Sequence, residues 1–280
     1  MTLRVLNLGG GVQSSCVAWM SFRGDLPPLD AILFADTGSE KPQNYAYIDR
    51  IREEAAARDV EFRIVRNGRV RSGGSLYDDM MGEGSSARWS APPLYVRDEH
   101  GVGMTNRQCT ADYKKEPLHQ AHRDLLGIQP KKRGPKTCEL EVWLGISLDE
   151  KQRAKVSTHR WYRYWHPLIE GPMPMRRWDC QRYLELRQLP VPPKSACFFC
   201  PYQSDRRWLA MKREQPELWE RACALDEHAR AMGQFKGTVY LHRSGKPLRA
   251  VGEDLERQAA DAPELDLDLF SDECGGVCGV

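Results

Sequence analysis

A glycine turn between an apolar strand pattern and a helix pattern constrains the fold of this chain more than any other feature. Residues 3–8 (LRVLNL) have the apolar run of a buried strand, Gly9-Gly10-Gly11 follows, and residues 14–22 have a helical pattern. Two further strands are predicted at 30–35 and 60–65, with a helix between them at 43–58. This alternation predicts an α/β fold, in which a parallel twisted sheet carries helices on both faces.

The remaining patterns predict three parts. Residues 1–192 form the α/β domain, residues 193–260 a small C-terminal helical and hairpin module, and residues 261–280 a flexible tail that contains cysteines. Helices are predicted at 178–188 and 205–232, and a hairpin at 239–248. Regular patterns fail from 67 to 108, among glycines, serines and prolines. A loop of this length indicates a lid-like insertion over a site or, as an open alternative, a mobile surface insertion.

Composition excludes several classes of protein. Hydrophobic residues make up 41% of the chain, charged residues 29%, and the formal net charge is +2. These values are typical of a globular protein and give no global charge for nucleic-acid binding. We find neither a signal-peptide pattern nor an apolar run of membrane-spanning length, so we expect a cytoplasmic protein without a membrane partner. The sequence leaves the oligomeric state unknown.

The glycine turn has the chemistry of an anion site. Glycines allow backbone N–H groups to approach a phosphate, and the N-terminus of the following helix adds unpaired N–H donors and a partial positive charge. The hydroxyls of Ser14 and Ser15 are further candidate donors. Lys114 and Arg153 are the cations that we expect on phosphate or adenylate oxygens, because ammonium and guanidinium groups both bind phosphate.

The turn resembles the pyrophosphate-binding loop, Ser-Gly-Gly-x-Asp-Ser, of the PP-loop ATP pyrophosphatases. This superfamily includes the phosphoadenylyl-sulfate (PAPS) reductase-like enzymes and has the adenine nucleotide alpha-hydrolase-like fold. Gly10, Gly11 and Ser14 match, whereas Gly9 replaces the serine and Gln13 the aspartate. Further similar segments follow in the family's order: Asp36-Thr37-Gly38, Gly145 to Arg153, His166-Pro167-Leu168 and Trp178.

The resemblance implies that ATP, with Mg²⁺, binds this part of the chain. The residues that it places on the nucleotide are Gly9, Gly10, Gly11, Gln13, Ser14, Ser15, Asp36, Thr37 and Gly145. A glycine-rich turn in an unrelated α/β protein is the open alternative.

Three cysteines are candidate metal ligands. Cys197 and Cys200 form a CxxC motif followed by Pro201, a spacing that lets two thiolates face one metal. The segment from Cys109 to Leu118 resembles the reductase motif Cys-Cys-x-x-Arg-Lys-x-x-Pro-Leu, with Thr110 in place of its second cysteine. The resemblance implies a 4Fe-4S cluster on Cys109, Cys197 and Cys200 with one open iron, as in cluster-dependent tRNA thiolation enzymes. A zinc site completed by histidine and unrelated buried thiols are the alternatives.

Two cysteines near the end of the chain are candidate catalytic groups. Cys274 and Cys278 lie in a segment that is similar to the Glu-Cys-Gly ending of sulfonucleotide reductases. A flexible pair can relay a persulfide or form a reversible disulfide; thiols without a role in a disordered tail are the alternative.

These motifs predict ATP-dependent adenylation followed by sulfur transfer to a nucleobase in tRNA or DNA, or to a small molecule. The sulfur donor would be a cysteine desulfurase or sulfide. A PAPS or adenylyl-sulfate reductase is the first alternative, and a zinc-bound nucleic-acid-binding protein without turnover is the second. Lys131, Lys132, Arg133 and Lys136 are candidates for contact with nucleic-acid phosphates, for which a solvated surface loop is the alternative. Candidates for stacking on bases are Trp161, Tyr162, Tyr164 and Trp165, for which a half-buried strand is the alternative.

Overall fold

The computed structural model describes residues 2–68, 74–82, 92–233 and 235–261. Its strands are β1 (Leu3–Leu8), β2 (Ala31–Ala35), β3 (Glu61–Val65), β4 (Tyr95–Asp98), β5 (Gly101–Met104), β6 (Leu140–Leu144), β7 (Tyr162–Trp165) and β8 (Thr238–Tyr240). Its α-helices are α1 (Val12–Arg23), α2 (Pro42–Ala56), α3 (Leu76–Met80), α4 (Glu116–Leu125), α5 (Pro167–Glu170), α6 (Arg177–Leu186), α7 (Asp205–Glu214), α8 (Pro216–Ala231) and α9 (Leu248–Asp261). A π-helical turn spans Ala111–Lys115, and 3₁₀ turns span Leu148–Arg153.

The chain forms two compact units. Within the described ranges, the first contains residues 2–68 and 112–196, and the second contains 74–82, 92–111, 197–233 and 235–261. The predicted boundary at 192/193 falls close to the last boundary between units, at 196/197. The stretch predicted as an insertion of the first domain groups instead with the C-terminal part of the chain.

A five-stranded parallel sheet forms the centre of the first unit, in the order β3-β2-β1-β6-β7. This confirms the predicted α/β fold with a parallel sheet. Side chains alternate between the two faces, as the two-residue period of a strand requires. Leu6, Ile32 and Trp143 pack on the side of α1, α2 and α6, whereas Leu33 and Val142 pack on the side of α4.

The second unit combines a small antiparallel sheet with helices. The sheet has the order β5-β4-β8, and Tyr95 of β4 is paired with Tyr240 of β8. Asp226 of α8 is buried and accepts hydrogen bonds from the backbone N–H groups of Leu241 and Leu248, both at 2.8 Å. One carboxylate therefore connects α8 to the end of β8 and to the start of α9.

Three sequence predictions for the second unit need correction. The stretch 67–108 contains regular structure in its described part, namely α3 and the β4–β5 hairpin. The hairpin predicted at 239–248 is wrong, because β8 pairs with β4 and the chain turns at 242–245 into α9. The helix predicted at 205–232 is divided into α7 and α8, because Pro216 has no N–H to continue the first helix. None of the helices in the described ranges is long and apolar enough to cross a membrane.

Candidate functional site

The strand order creates a switch point between β1 and β6. From β1 the chain proceeds to β2 and β3 on one side, and from β6 it proceeds to β7 on the other. In open α/β sheets, ligands bind in the crevice outside the carboxyl ends of the strands at such a point. The loops that follow β1 and β6 therefore form the candidate site.

The loop after β1 is the glycine turn, and its conformation depends on glycine. Gly10 has a φ of +74°, and a Cβ there would lie 3.2 Å from the Ile48 side chain. Gly11 is the N-cap of α1, and no side chain caps the helix at this residue. The first N–H groups of an α-helix have no partners within the helix. The turn therefore offers backbone donors and the positive end of the helix dipole to an anion.

The two serines of the turn are both buried. The Ser14 hydroxyl accepts the Gly9 N–H at 3.1 Å and donates to the Gly11 carbonyl at 3.3 Å, so it holds the turn closed. Ser15 is fully buried on the side of α1 that faces Tyr47. The Ser14 hydroxyl is therefore engaged within the turn, which offers its backbone N–H groups to an anion.

The loop after β6 packs directly on the first turn of α1. A Cβ on Gly145 would lie 2.5 Å from the Ser14 nitrogen and 2.6 Å from the Ser14 Cα. Real Cβ atoms do not approach backbone atoms this closely, so only glycine allows the two loops to meet. Gly145 thus brings the two sides of the switch point together.

A polar network continues from this contact. The Gln13 amide donates to the Ser147 hydroxyl at 3.5 Å and to the Glu150 carboxylate at 3.3 Å. Glu150 also forms an ion pair with Arg153 at 2.8 Å, and both of these side chains are largely buried. Glu150 therefore links Gln13 to Arg153, the predicted phosphate-binding cation.

The loop after β2 is organised by Asp36. Its buried carboxylate accepts the Gly38 N–H at 2.7 Å, the Tyr45 hydroxyl at 2.8 Å and the Arg66 guanidinium at 2.8 Å. Burial and the neighbouring Asp36 raise the pKa of Tyr45, so its phenol remains a hydrogen-bond donor. Asp36 therefore fixes the path of the loop that contains Thr37.

Sequence reasoning missed Glu40 in the same loop. Its side chain is buried, and burial raises the pKa of its carboxyl although the Lys114 ammonium and the Ser195 hydroxyl oppose that shift. Within the part of the chain that the structure describes, Glu40 Oε2 has no hydrogen-bond partner. The Ser195 hydroxyl also lies 3.3 Å from the position of a Cβ on Gly10. Glu40 and Lys114 thus lie close to the glycine turn, and no sequence signal distinguishes Glu40 from an ordinary solvated acid.

The CxxC motif of the second unit forms a tight turn. The Cys200 N–H donates to the Cys197 carbonyl at 2.9 Å, and the two phenylalanines between the cysteines are buried. The Phe198 ring contacts the Tyr77 ring at 5.4 Å between centroids, and the Arg221 guanidinium lies 4.3 Å from the Tyr77 centroid. An aromatic cluster therefore anchors the turn on α3 and α8.

The predicted metal site is not assembled in the described residues. Cys109, Cys197 and Cys200 belong to one compact unit and are each half-buried. Within residues 2–68, 74–82, 92–233 and 235–261, no group of three or more His, Cys, Asp or Glu side chains is arranged to hold a metal ion. The three-thiolate cluster and its zinc alternative therefore stay predictions. Cys274 and Cys278 lie outside the described residues.

The aromatic residues predicted to stack on bases are in part unavailable. Trp161 and Tyr162 are 4% and 7% exposed and belong to the core between the sheet and α4. The alternative of a half-buried strand therefore holds for this segment, because Trp161 and Tyr162 pack in the core and neither ring can stack on a base. The basic loop Lys131–Lys136 retains exposed lysines.

The chain matches no known protein-family model, and a comparison with curated proteins finds no match either. Family membership therefore stays a prediction from the sequence motifs. All nine predicted nucleotide-binding residues lie in the loops after β1, β2 and β6 or in the first turn of α1: Gly9, Gly10, Gly11, Gln13, Ser14, Ser15, Asp36, Thr37 and Gly145.

Proposed function

We propose that the protein binds ATP at the switch point between β1 and β6 and uses it to adenylate an acceptor oxygen. The observation that carries this proposal is the helix N-terminus at Gly11, which no side chain caps and which adjoins the loop of Gly145. A triphosphate there accepts hydrogen bonds from the backbone N–H groups of the turn and lies at the positive end of the α1 dipole.

The reaction follows from the charge of this surface. The acceptor oxygen attacks the α-phosphorus, the bond between this phosphorus and the bridging oxygen breaks, and pyrophosphate leaves with the additional negative charge. Backbone N–H groups fixed before the reaction stabilise that charge without reorganisation. Phosphate oxygens can also replace Glu150 as the partner of Arg153, and Lys114 is the second cation near the turn.

Oxygen donors suited to Mg²⁺ are available among the same residues. Glu40 has one unpartnered buried oxygen in the described part of the chain, and Glu150 lies beside Gln13. Mg²⁺ prefers oxygen ligands and enters such sites together with substrate phosphates, whose charge it offsets. Glu40 and Glu150 are therefore the residues that we expect to hold it.

Sulfur transfer to the adenylated acceptor is the second step that we propose: hydrosulfide attacks the carbon that bears the adenylated oxygen, a C–S bond forms, the C–O bond breaks and AMP leaves. The thiols of Cys197 and Cys200, and the resemblance to cluster-dependent thiolation enzymes, support it. A sulfonucleotide reductase is the competing proposal, since it would use the same anion site without ATP. Sulfite release from adenylyl sulfate or PAPS would select the reductase, and release of pyrophosphate from ATP would select the adenylating enzyme.

A single charge at the N-cap tests the proposed anion site. Gly11 has ordinary extended backbone angles, φ −97° and ψ 177°, and a Cβ there meets no atom within 4 Å. In Gly11→Asp the carboxylate caps α1 and repels phosphate, so we expect ATP affinity to fall at least about tenfold while thermal stability is kept or raised. Titration calorimetry with a non-hydrolysable ATP analogue measures the first effect, and a melting curve measures the second.

Gly11→Asn is the matched control, because it caps the helix without a charge. We expect it to lose less affinity than Gly11→Asp. If Gly11→Asp binds the analogue as tightly as the unaltered protein does, the nucleotide does not use this helix terminus and the proposal fails.

A further inference from the structure

The first unit exposes a tryptophan at the start of α6. Trp178 lies in the first turn of α6 and is 63% exposed. The guanidinium of Arg182, one helical turn later, lies 5.3 Å from the centroid of the indole ring. An exposed large aromatic ring next to a cation is typical of surfaces that stack on nucleobases.

Unpaired positive charge surrounds this ring. Arg187 of the same region pairs with Asp25, but Arg176, Arg177 and Arg182 form no ion pair with any residue that the structure describes. The nearby carboxylates of Asp179 and Asp149 accept the backbone N–H groups of Arg176 and Arg177 instead, at 2.8 and 3.1 Å. The three guanidinium groups are therefore available to an external anion.

The chain that leads to this surface is also basic. From Lys151 to Ile169 the sequence has five Lys or Arg residues and no Asp or Glu. Two of the five, Arg153 and Arg163, pair with Glu150 and Glu141. The other three, Lys151, Lys155 and Arg160, give this stretch of the sequence an excess of positive charge within a protein of net charge +2. Such a local excess attracts polyanions although the whole molecule is nearly neutral.

Backbone hydrogen bonds join this surface to the loop after β6. The Leu148 N–H donates to the Met175 carbonyl at 2.9 Å, and the Arg177 N–H donates to the Asp149 carboxylate at 3.1 Å. The segment that begins with Gly145 is thus fixed to the start of α6. The helix that carries Trp178 is therefore joined to one of the two loops of the proposed adenylation site.

We propose that Trp178, Arg176, Arg177 and Arg182 bind single-stranded nucleic acid, with a base stacked on the indole and phosphates on the arginines. This inference deepens the proposed function, on which it rests for its biological purpose, because it selects a nucleic acid from the possible acceptors. Stacking on an aromatic side chain tolerates any base, and arginines that contact phosphates make binding depend on salt.

Fluorescence anisotropy with labelled oligo(dT) and oligo(rU), without ATP, tests the surface. We expect both strands to bind at low salt, and the stronger of the two identifies DNA or RNA as the ligand. Trp178→Ala should weaken that binding about tenfold, because one stacked base is lost. Arg182→Gln should also weaken the binding. It should lower by about one the magnitude of the slope of the logarithm of the binding constant against the logarithm of the salt concentration.

Two control variants and a second probe separate stacking from general effects. Leu186→Ala removes an apolar side chain of the same helix that is 69% exposed, and Arg52→Gln removes a half-exposed arginine of α2; both should bind as the unaltered protein does. Heparin has charge without bases, so Trp178→Ala should keep its affinity within about twofold.

Three results would overturn the proposed surface: no strand binds at low salt, Trp178→Ala binds normally, or Trp178→Ala loses heparin and oligonucleotide equally. The last result would indicate a general polyanion surface. ATP turnover is measured separately by pyrophosphate release. Turnover without strand binding would support the proposed nucleotide site and contradict the proposed nucleic-acid surface. Strand binding without turnover would support the surface and contradict the proposed adenylation.

Discussion

Single residues at the switch point determine how closely its two loops approach. Gly145 has no substitute, because any Cβ would collide with backbone atoms of Ser14 rather than with a movable side chain. Gly11 is the opposite case, since space for a side chain exists and none is present. The first glycine is explained by packing, whereas the second leaves the N-terminus of α1 without a side-chain cap, as the proposed anion site requires.

Gly145→Ala tests the packing argument. The added methyl group must displace the loop after β6 or the first turn of α1, so we expect a loss of about 1–3 kcal/mol in the free energy of unfolding. Urea denaturation measures it. Gly68→Ala is the control, because a Cβ there meets no atom within 4 Å and the backbone has no positive φ; it should change stability by less than about 0.5 kcal/mol. Equal stability of both variants would contradict the close approach of the two loops.

At the scale of elements, buried polar contacts attach helices to the sheet. His122 of α4 is 3% exposed, and its Nε2 lies 2.9 Å from the Asn7 amide oxygen of β1. Because an amide oxygen only accepts, Nε2 carries a proton, and the ring is neutral near pH 7 because its pKa is lowered. Burial, with a smaller effect of His119, lowers the pKa of His122 to about 3.

The lowered pKa of His122 predicts a loss of stability in acid. Below its ordinary pKa of 6.5 the unfolded chain binds a proton that the folded protein does not bind. His122 therefore destabilises the fold progressively as the pH falls from about 6.5 to about 3, by up to about 1.4 kcal/mol per pH unit. His122→Gln keeps a donor for Asn7 and should have a flatter dependence of unfolding free energy on pH.

Urea titrations across this pH range compare the two proteins. His100→Gln is the matched control, because the His100 side chain is 84% exposed, and its pH dependence should follow that of the unaltered protein. If His122→Gln loses stability in acid as steeply as the unaltered protein, the histidine is not buried in its neutral form.

At the scale of the whole molecule, distant parts of the sequence are combined in each unit. Residues 92–111 belong to the same compact unit as residues 197–233 and 235–261, although the sheet strands β6 and β7 lie between them in sequence. The three predicted thiolate ligands therefore come from two separate segments of one unit. This grouping permits a shared metal site, which the described side-chain arrangement does not itself form.

Anaerobic purification tests the predicted cluster directly. We expect iron and acid-labile sulfide in the purified protein, and loss of both in Cys109→Ser, because three thiolates are needed to hold the cluster. Cys138→Ser is the control, since Cys138 is exposed and outside any motif, and it should retain the iron. Zinc without iron would contradict the cluster and support the alternative of a zinc site. The absence of any metal would contradict both metal sites.

Local patterns in the amino-acid sequence were enough to predict the α/β class, the order of the elements around the glycine turn and the loops in which the candidate site residues lie. These features depend on local patterns: apolar runs, helical periodicity and glycines at a turn. Once the strands are parallel, their carboxyl ends meet at one edge, so Gly11, Asp36 and Gly145 are brought together by topology.

Only the three-dimensional structure showed which side chains are exposed to solvent and can therefore contact a ligand. Trp161 and Trp178 are both tryptophans beside arginines in the sequence, yet one is 4% and the other 63% exposed. The buried Glu40, the inward Ser15 and the turn into α9 at 242–245 were equally hidden from sequence reasoning. The burial and pairing of these individual side chains depend on contacts between residues far apart in the chain, which the local pattern around each residue does not specify.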